Sequence, residues 1–466
     1  MSEKRELVVL GGGPGGYAAA FKAADLGLKV TLIDEEENPG GVCLYRGCIP
    51  SKALLHAAKV IREAEKAADF GLRFGKLEID IDKLRKWKED VVLKLTRGLG
   101  MLCKRRKIET IRGTARFKSG SALHVELHDG GIEEVEFEHA IIATGAVPAT
   151  IPSVSMDSEH AWDSTDSLNL PEIPESLLVI GGGYIGLEQA NIYAPLGTKI
   201  TVCEMMDQLM PGTDKDLAAI MLKHMKKQFE EILLNTKVVG AEEKGEGMKV
   251  RFEDRDGKKS EKTYSKVLVA VGRKPNSKDL GLENTGVKPD SKGFIRVDKQ
   301  RRTDDPHLFA IGDITGDPQF AHKAMHEGLT AAMALTGKPA AFDPRAIPYV
   351  EYTDLEAAGC GLSETQAKEQ NIEIKIGKFP WSASGRAATM AENEGLTKLI
   401  FDAATNRLLG VGIIGSDAGK LISEGALALE MGAVAEDIAY TIHPHPTLSE
   451  TIMEAAHAVI DRSIHI

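Results

Sequence analysis

Residues 7–34 read LVVLGGGPGGYAAAFKAADLGLKVTLID and residues 177–204 read LLVIGGGYIGLEQANIYAPLGTKITVCE, and the two align without a gap. Each starts with a four-residue apolar run and places glycines at the same offsets: Gly11, Gly13 and Gly16 in one, Gly181, Gly183 and Gly186 in the other. A helical stretch, Leu-Gly and a second β-rich run follow, and an acid closes each copy, Asp34 or Glu204, 18 residues beyond the last glycine. The pattern predicts a strand, a glycine turn, a helix and a strand. The first glycine permits the tight turn, the second lets backbone N–H groups approach a pyrophosphate, and the third lets helix pack close on strand. Phosphate then lies at a helix N-terminus, where unpaired N–H groups and the dipole favour an anion. The acid accepts hydrogen bonds from an adenosine ribose and disfavours a 2′-phosphate. Pro14 suits the first helical turn, where a missing N–H costs little. A single GxGxxG can be a structural turn, but two in-register copies with matched acids imply two bound dinucleotides. Met205, Met206 and Asp207 follow Glu204 where a 2′-phosphate site would carry arginines, so the second copy is expected to take NAD rather than NADP.

The rest of the chain sets limits around this repeat. Its 466 residues exceed what one hydrophobic core serves, so several domains are expected. With 42% hydrophobic residues, 27% charged residues and 47 glycines the balance is that of a globular protein. A net charge of −11 argues against nucleic acid or anionic lipid as partners. The start, MSEKRELVVLGGG, lacks the apolar region and cleavage site of a secretory signal, and no stretch approaches the length of a membrane span. Five cysteines in so long a chain suit a reducing compartment, and the cytoplasm is expected. Pro152, Pro171 and Pro174 punctuate the segment before the second copy, and GKPAAFDPRAIP (337–348) marks another boundary. Beyond it strand-like runs alternate with the apolar helix KLISEGALALEMGA (420–433). The expected fold is α/β, with two Rossmann-like dinucleotide-binding domains and a C-terminal α+β domain.

Just after the first copy, GGVCLYRGCIPSKALL (40–55) holds two of the five cysteines with four residues between them. Five residues of strand would set Cys43 and Cys48 about 16 Å apart, and five of helix about 7–8 Å. A disulfide needs Cα atoms within about 7 Å, so a bent helical turn can close one and a strand cannot. Gly40, Gly41 and Gly47 supply freedom to bend, and Pro50 disturbs the helix that follows. No second Cys or His pair completes a tetrahedral zinc site, and Ser51 stands where a plant-type iron–sulfur run needs its third cysteine. A redox couple and two inert buried thiols remain, and the glycine-rich setting beside a dinucleotide fold favours the couple.

The two glycine copies, GGVCLYRGCIPSKALL, AIGD (310–313) and HPHPTLSE (443–450) together resemble the flavoprotein disulfide reductases over essentially the whole chain, and the last motif points to the branch that acts on lipoamide. The resemblance implies FAD in the first copy, held by Gly11, Gly13, Gly16 and Asp34. Lys52 and the backbone near Ala115, Thr144 and Gly145 complete that site, with Asp313 on the ribityl chain and Gln319, Phe320, Ala321 and His322 over the flavin. It implies NAD in the second copy, through Gly181, Gly183, Gly186 and Glu204, with Val238 and Gly272 at matching positions and Glu188 paired with Lys52. The implied units are an FAD-binding domain (1–148), an NAD-binding domain (149–273), a central segment completing the first (274–342) and a dimerisation domain (343–466). The implied activity is oxidation of protein-bound dihydrolipoamide. The dithiol would attack a Cys43–Cys48 disulfide through Cys43, His445 would take thiol protons, and Cys48 would lie against the flavin, with hydride leaving to NAD. His445 would serve the disulfide of the other subunit, so a homodimer is implied, and a lipoylated carrier protein of a 2-oxo acid dehydrogenase or glycine cleavage type complex is the implied partner. The rival is a reductase of another disulfide, such as glutathione or coenzyme A disulfide, against which Glu204 and HPHPTLSE argue.

Two local questions stay open at this level. Glu450 can orient His445 as base, or it can reach back to the Thr447 N–H as half of a capping box, since Thr447, Leu448, Ser449 and Glu450 spell T-x-x-E before a helical run. His443, Cys103, Cys203 and Cys360 are expected to be structural. The chain also departs from the family pattern at Tyr45-Arg46, Pro444 and Leu355. Arg46 follows Cys43 by three residues, so on a helical turn it shares the Cys43 face, and it is expected to lower the Cys43 pKa.

Overall fold

In the first glycine copy the strands are apolar almost throughout because both faces of their sheet are covered. A computed structural model describes residues 4–466. Arg5–Leu10 and Val30–Asp34 pair in parallel, flanked by the first part of Glu109–Ser119, the last part of Ile132–Ile142, and Leu308–Ala310. The helices Pro14–Asp25 and Ala321–Leu335 pack on one face, so closely that a Cβ on Gly328 would lie 2.5 Å from the Gly15 carbonyl oxygen. The far parts of Glu109–Ser119 and Ile132–Ile142 leave the parallel sheet and join Ala122–Leu127 in an antiparallel meander. There burial alternates residue by residue, with Gly113, Ala115 and Phe117 inward, as a one-sided sheet requires.

The second copy repeats the plan. Its parallel sheet runs Glu231–Leu233, Lys199–Cys203, Ser176–Ile180, Lys266–Val269, Ala161–Trp162, and its meander is Thr236–Glu243, Met248–Asp254, Lys259–Tyr264. The chain leaves the first domain at Ala146–Pro148 and returns at Arg273–Pro275, two segments that pair antiparallel as a ribbon. The C-terminal domain is an antiparallel five-stranded sheet in the order Tyr349–Glu351, Ala357–Gly361, Leu408–Ile414, Leu396–Asp402, Ile374–Pro380. Ala418–Met431 and Glu450–Ile460 pack on it around buried Trp381, whose Nε1–H donates to Thr397 Oγ1 at 3.0 Å. The fold is thus the expected α/β arrangement with two dinucleotide-type domains and a C-terminal α+β domain.

One helix ties the three domains together. Cys48–Lys66 begins in the first domain, yet Leu54 and Leu55 are buried in the core of the second, each contributing about 1.5–3 kcal/mol. Farther along, Arg62 Nη1 lies 3.7 Å from Asp354 of the third domain, and Asp354 also accepts from His224 Nε2 at 3.0 Å and Gln228 Nε2 at 2.8 Å. These donors hold the Asp354 carboxyl well below its ordinary range although burial opposes them. The N-terminal end of the helix, with Cys48, is therefore held where all three domains meet.

Candidate active site

The cysteines sit on two helices broken at one glycine. Gly41–Arg46 carries Cys43, Cys48–Lys66 starts with Cys48, and between them Gly47 takes φ −142 and ψ −113, outside the helical region. A Cβ at Gly47 would lie 2.9 Å from the Val42 carbonyl oxygen and 3.4 Å from Cys43 Cα, so a side chain there would push the two turns apart. The bend sets the two thiols side by side, so that in the reduced pair one thiol can share its proton with the other in a hydrogen bond. That bond lowers the Cys48 thiol to about 7, with Lys52 helping and burial and Glu188 opposing. The same bond, then burial, pushes the Cys43 thiol far up. A reduced pair here holds its thiolate on Cys48 and its proton on Cys43.

Arg46 does not act as the sequence reading expected. Cys43 is raised, not lowered, and the cation beside the pair is Lys52. The Arg46 guanidinium turns away to Glu36, with Nη1 2.6 Å from Oε1, while the Tyr45 hydroxyl donates to the Asn38 carbonyl at 3.0 Å. Both residues brace the loop behind Asp34, a loop whose position the spacing of Cys43 and Arg46 does not reveal. Leu355 is buried in the core at the second domain, and the Pro444 carbonyl accepts from Thr447 Oγ1 at 2.7 Å.

Beneath the cysteines Lys52 Nζ lies 2.8 Å from both carboxylate oxygens of Glu188. Ser51 Oγ donates to Glu188 Oε2 at 2.8 Å, the Tyr352 N–H donates to Oε1 at 3.2 Å, and Nζ stands 4.7 Å from the Tyr352 ring centroid. The sequence reading gives neither Ser51 nor Tyr352 a role beside Glu188. No local signal marks them, because the bonds join helices and strands more than 130 residues apart in the chain.

The glycine turns match atom for atom. Gly11 (φ +102) and Gly181 (φ +110) each place a hypothetical Cβ 2.4 Å from a carbonyl oxygen, of Ala143 and Ala270 respectively. Gly16 and Gly186 pack on the carbonyls of Gly11 and Gly181, leaving no room for a methyl. Gly13 and Gly183 are different. Within 4 Å of a Cβ there lies only Gly41 Cα at 3.9 Å for the former and nothing for the latter, so these two face open space at the helix N-termini of Pro14–Asp25 and Tyr184–Tyr193. Asp34 Oδ2 accepts from Gly12 N at 2.5 Å and Oδ1 from Glu36 N at 2.9 Å; Glu204 accepts from Gly182 N at 2.7 Å and Met206 N at 2.8 Å. Burial raises the Asp34 carboxyl, against the pull of those amides.

The other expected contacts fall around the first turn. Thr144 Oγ1 donates to the Asn276 carbonyl at 2.9 Å, and Gly145 takes φ +69 beside it. Ala115 is buried in the meander core, which leaves only its backbone for a ligand. Asp313 sits on the short turn Gly312–Thr315 near Arg273 and Lys323, its carboxyl raised chiefly by burial. Buried Glu327 holds that turn by accepting from Gly312 N at 2.6 Å and Arg301 Nη1 at 2.8 Å, a role the sequence reading missed. Phe320 precedes the helix that Ala321 begins, packs edge-on to Tyr184 and stacks on His322, whose Nε2 contacts the Pro348 carbonyl at 2.7 Å. Gln319 Nε2 is buried with no partner among the described residues. In the second domain Val238 is half-buried at the core edge, and Gly272 (φ +111) follows the strand Lys266–Val269. The open middle glycines and the helix N-termini fit a dinucleotide phosphate at each turn, and the Gln319 amide offers a free donor toward the first.

His445 lies apart from this centre, on the C-terminal domain. Its side chain is 76% exposed, and Nδ1 contacts Glu450 Oε1 at 2.9 Å. The other carboxylate oxygen accepts from Thr447 N at 2.8 Å. The two alternatives open in the sequence therefore coexist, one oxygen for each. The reciprocal half of a capping box is missing, since Thr447 Oγ1 is engaged by the Pro444 carbonyl and the Ser449 hydroxyl. His443 is nearly enclosed, with Nε2 on Glu424 at 2.7 Å and Nδ1 on the Thr441 carbonyl at 2.8 Å, so it has no free nitrogen for chemistry, and the Glu424 bond raises its pKa. Cys103, Cys203 and Cys360 are buried, and burial pushes their thiols to about 11, 12 and 12.

Comparison with known proteins places these features in a wider set. The pyridine nucleotide-disulphide oxidoreductase family matches residues 5–328, and the dimerisation domain of that family matches residues 347–456. A dihydrolipoyl dehydrogenase of Vibrio cholerae is 48% identical over 453 residues, 97% of this chain and 95% of the relative. One of Thermus scotoductus is 47% identical over 463 residues, 99% of this chain and 98% of the relative. Among solved structures, the Cu(II) complex of the HOCl-induced flavoprotein disulfide reductase RclA from Escherichia coli superposes with a TM-score of 0.88 at 28% identity, covering 98% of this chain and all of that one.

Proposed function

The chain belongs to the pyridine nucleotide-disulphide oxidoreductase family, and from that premise we propose that it is a dihydrolipoamide dehydrogenase. It oxidises the dithiol of a lipoylated carrier protein through the Cys43–Cys48 pair, with FAD in the first domain and NAD in the second. The observation that carries the reading is the cysteine pair bent at Gly47, directly above the Lys52–Glu188 pair and between two dinucleotide turns. FAD, when bound, supplies a two-electron acceptor that passes hydride on to NAD.

The chain's own residues carry the rest. Dihydrolipoamide thiolate attacks the Cys43 sulfur, the disulfide opens, and the electron pair leaves on Cys48, where the low thiol pKa suits a leaving group. The second substrate thiol then attacks the mixed disulfide and releases cyclic lipoamide, leaving both cysteines reduced. His445, its ring held through Nδ1 by Glu450, takes a thiol proton on Nε2. Lys52, fixed by Glu188, keeps a positive charge beside the thiolate. The dimerisation-domain match covers His445, and we propose a homodimer in which His445 faces the disulfide of a second copy. The units 1–148, 149–273, 274–342 and 343–466 serve as flavin domain, nicotinamide domain, flavin-domain completion and dimer interface. Among the described residues no helix is long and apolar enough to cross a membrane, and we place the protein in the cytoplasm.

Anaerobic addition of dihydrolipoamide to the purified yellow protein should bleach the flavin, and NAD should restore it with formation of NADH. Equal bleaching by NADH but none by dihydrolipoamide, with turnover of glutathione or coenzyme A disulfide, overturns the lipoamide assignment. Rates against a panel of lipoylated carriers then identify the partner.

A further inference from the structure

The charged cluster under the cysteines holds one group that this reaction does not use. Glu351 ends the strand Tyr349–Glu351 and is 2% exposed, and its Oε1 has no hydrogen-bond partner among the described residues. The ionisable groups that face it come from three elements: Lys52 on the helix Cys48–Lys66, Glu188 on the helix Tyr184–Tyr193, and Tyr349 on its own strand. Tyr352, the next residue, points its ring at Lys52 and its N–H at Glu188.

Two carboxyl groups therefore share one ammonium, and the donors go to one of them. Lys52, Ser51 and the Tyr352 N–H all serve Glu188. A buried carboxylate with an unpartnered oxygen is disfavoured against its neutral acid, the more so with a second carboxylate beside it. Burial first and Glu188 second push the Glu351 carboxyl well above its ordinary range, with only Lys52 opposing.

We propose that Glu351 is a buried carboxylic acid kept protonated beside Lys52–Glu188, and that its proton sets the charge felt by the redox centre above it. With the proton, Lys52, Glu188 and Glu351 sum to zero; without it they sum to one negative charge. That charge disfavours uptake of electrons nearby, so the potential of the centre falls more steeply with pH once Glu351 titrates. Glu351 is a positioning residue in this scheme, acting through local charge. The redox half rests on the flavoprotein reading above, and the protonation half does not.

Glu351→Gln keeps the shape and mimics the neutral acid. The folded chain binds the Glu351 proton more tightly than the unfolded chain does. Its contribution to stability is therefore complete below the unfolded glutamate range and is lost as pH rises toward the folded-state titration. Thermal unfolding of the flavin-loaded proteins should show a gap in favour of E351Q that widens from mildly acidic to mildly alkaline pH. A gap that does not change with pH, or a wild type favoured at alkaline pH, overturns the proposal. Infrared spectra should show a protonated carboxyl band in the wild type that E351Q lacks, and its absence from the wild type likewise overturns it. In spectroelectrochemical titration the two proteins should share one potential at neutral pH and diverge above it, whereas parallel curves throughout overturn the redox role. A protein that binds no flavin yet keeps the widening gap refutes the functional reading and leaves the buried acid standing.

Discussion

In the first glycine copy Asp34 accepts from the Gly12 and Glu36 amides, and in the second Glu204 accepts from those of Gly182 and Met206. In both, the following loop comes back to the carbonyl of the glycine just after the first of the turn with an N–H at 2.8 Å, from Gly40 on Gly12 and from Met210 on Gly182. From that return point the copies part. The first loop enters the bent helix pair that carries Cys43 and Cys48, while the second reaches the single unbroken helix Lys215–Met225, which has no cysteine. The fifth strand also differs, supplied by Leu308–Ala310 from far down the chain in one domain and by the upstream Ala161–Trp162 in the other. One frame has thus been used twice, once to bind and react and once only to bind, and the chemistry was added where the loop returns.

The sharpest way to break this contrast is to remove what only the first copy has. Cys43→Ser and Cys48→Ser should each lower dihydrolipoamide oxidation by roughly 10³-fold or more while the protein stays yellow, because the proposed flavin site, the glycine turn with Asp34, includes neither thiol. Anaerobic dithiol turnover and the flavin spectrum measured together decide it; turnover retained by both variants would sink the redox assignment. Next comes the loss of the base. His445→Ala should slow the dithiol half-reaction by about 10²-fold and leave transfer from NADH to a non-thiol acceptor unchanged, and a matched loss in both would make the residue structural instead.

A paired substitution tests the shared frame itself. Gly16→Val and Gly186→Val each drive a side chain into a carbonyl of the preceding turn, so the first should weaken flavin retention and the second NAD binding, by about 10- to 100-fold. Fluorimetric titration of each ligand against each variant would show whether the two turns are independent. The thiolate offers a finer probe. The Cys48 thiol is lowered chiefly by its contact with Cys43, so Cys43→Ala should move the pH at which Cys48 is alkylated upward, toward the ordinary thiol range, and Lys52→Met should do the same to a smaller extent. An unchanged alkylation profile in Cys43→Ala would show that Lys52 alone sustains the thiolate. The smallest effect is expected from Arg46→Val. Its ion pair with Glu36 is partly solvated, with 40% of the Arg46 side chain exposed, so stability should change by no more than about 0.5 kcal/mol and the thiol pKa not at all.

These outcomes separate what a linear reading reaches from what it does not. The glycine offsets, the closing acids and the bend between Cys43 and Cys48 are short-range features, each governed by residues within one turn, one loop or one strand–helix unit. Periodicity and backbone sterics determine them locally, so the amino-acid sequence alone was enough to state the two dinucleotide turns and the helical approach of the thiols. Local proximity on a helix also suggested Arg46 as the cation for Cys43, and there the local argument failed. A guanidinium reaches several ångströms and settles on a carboxylate within that reach, which the fold placed at Glu36.

Much of what sets charge beneath the cysteines is long-range. Ser51, Lys52, Glu188, Glu351 and Tyr352 meet only because Cys48–Lys66 threads three domains, and a buried charge or an orphaned carboxyl is defined by desolvation, which has no meaning before the chain is folded. Glu450 differs in that both partners are local, five and three residues away, and because a carboxylate has two oxygens the folded geometry gives one to His445 and the other to Thr447. The sequence by itself determined which units would form and which groups could react; the tertiary structure decided which of those groups would be charged, because that depends on what surrounds them rather than on what precedes them.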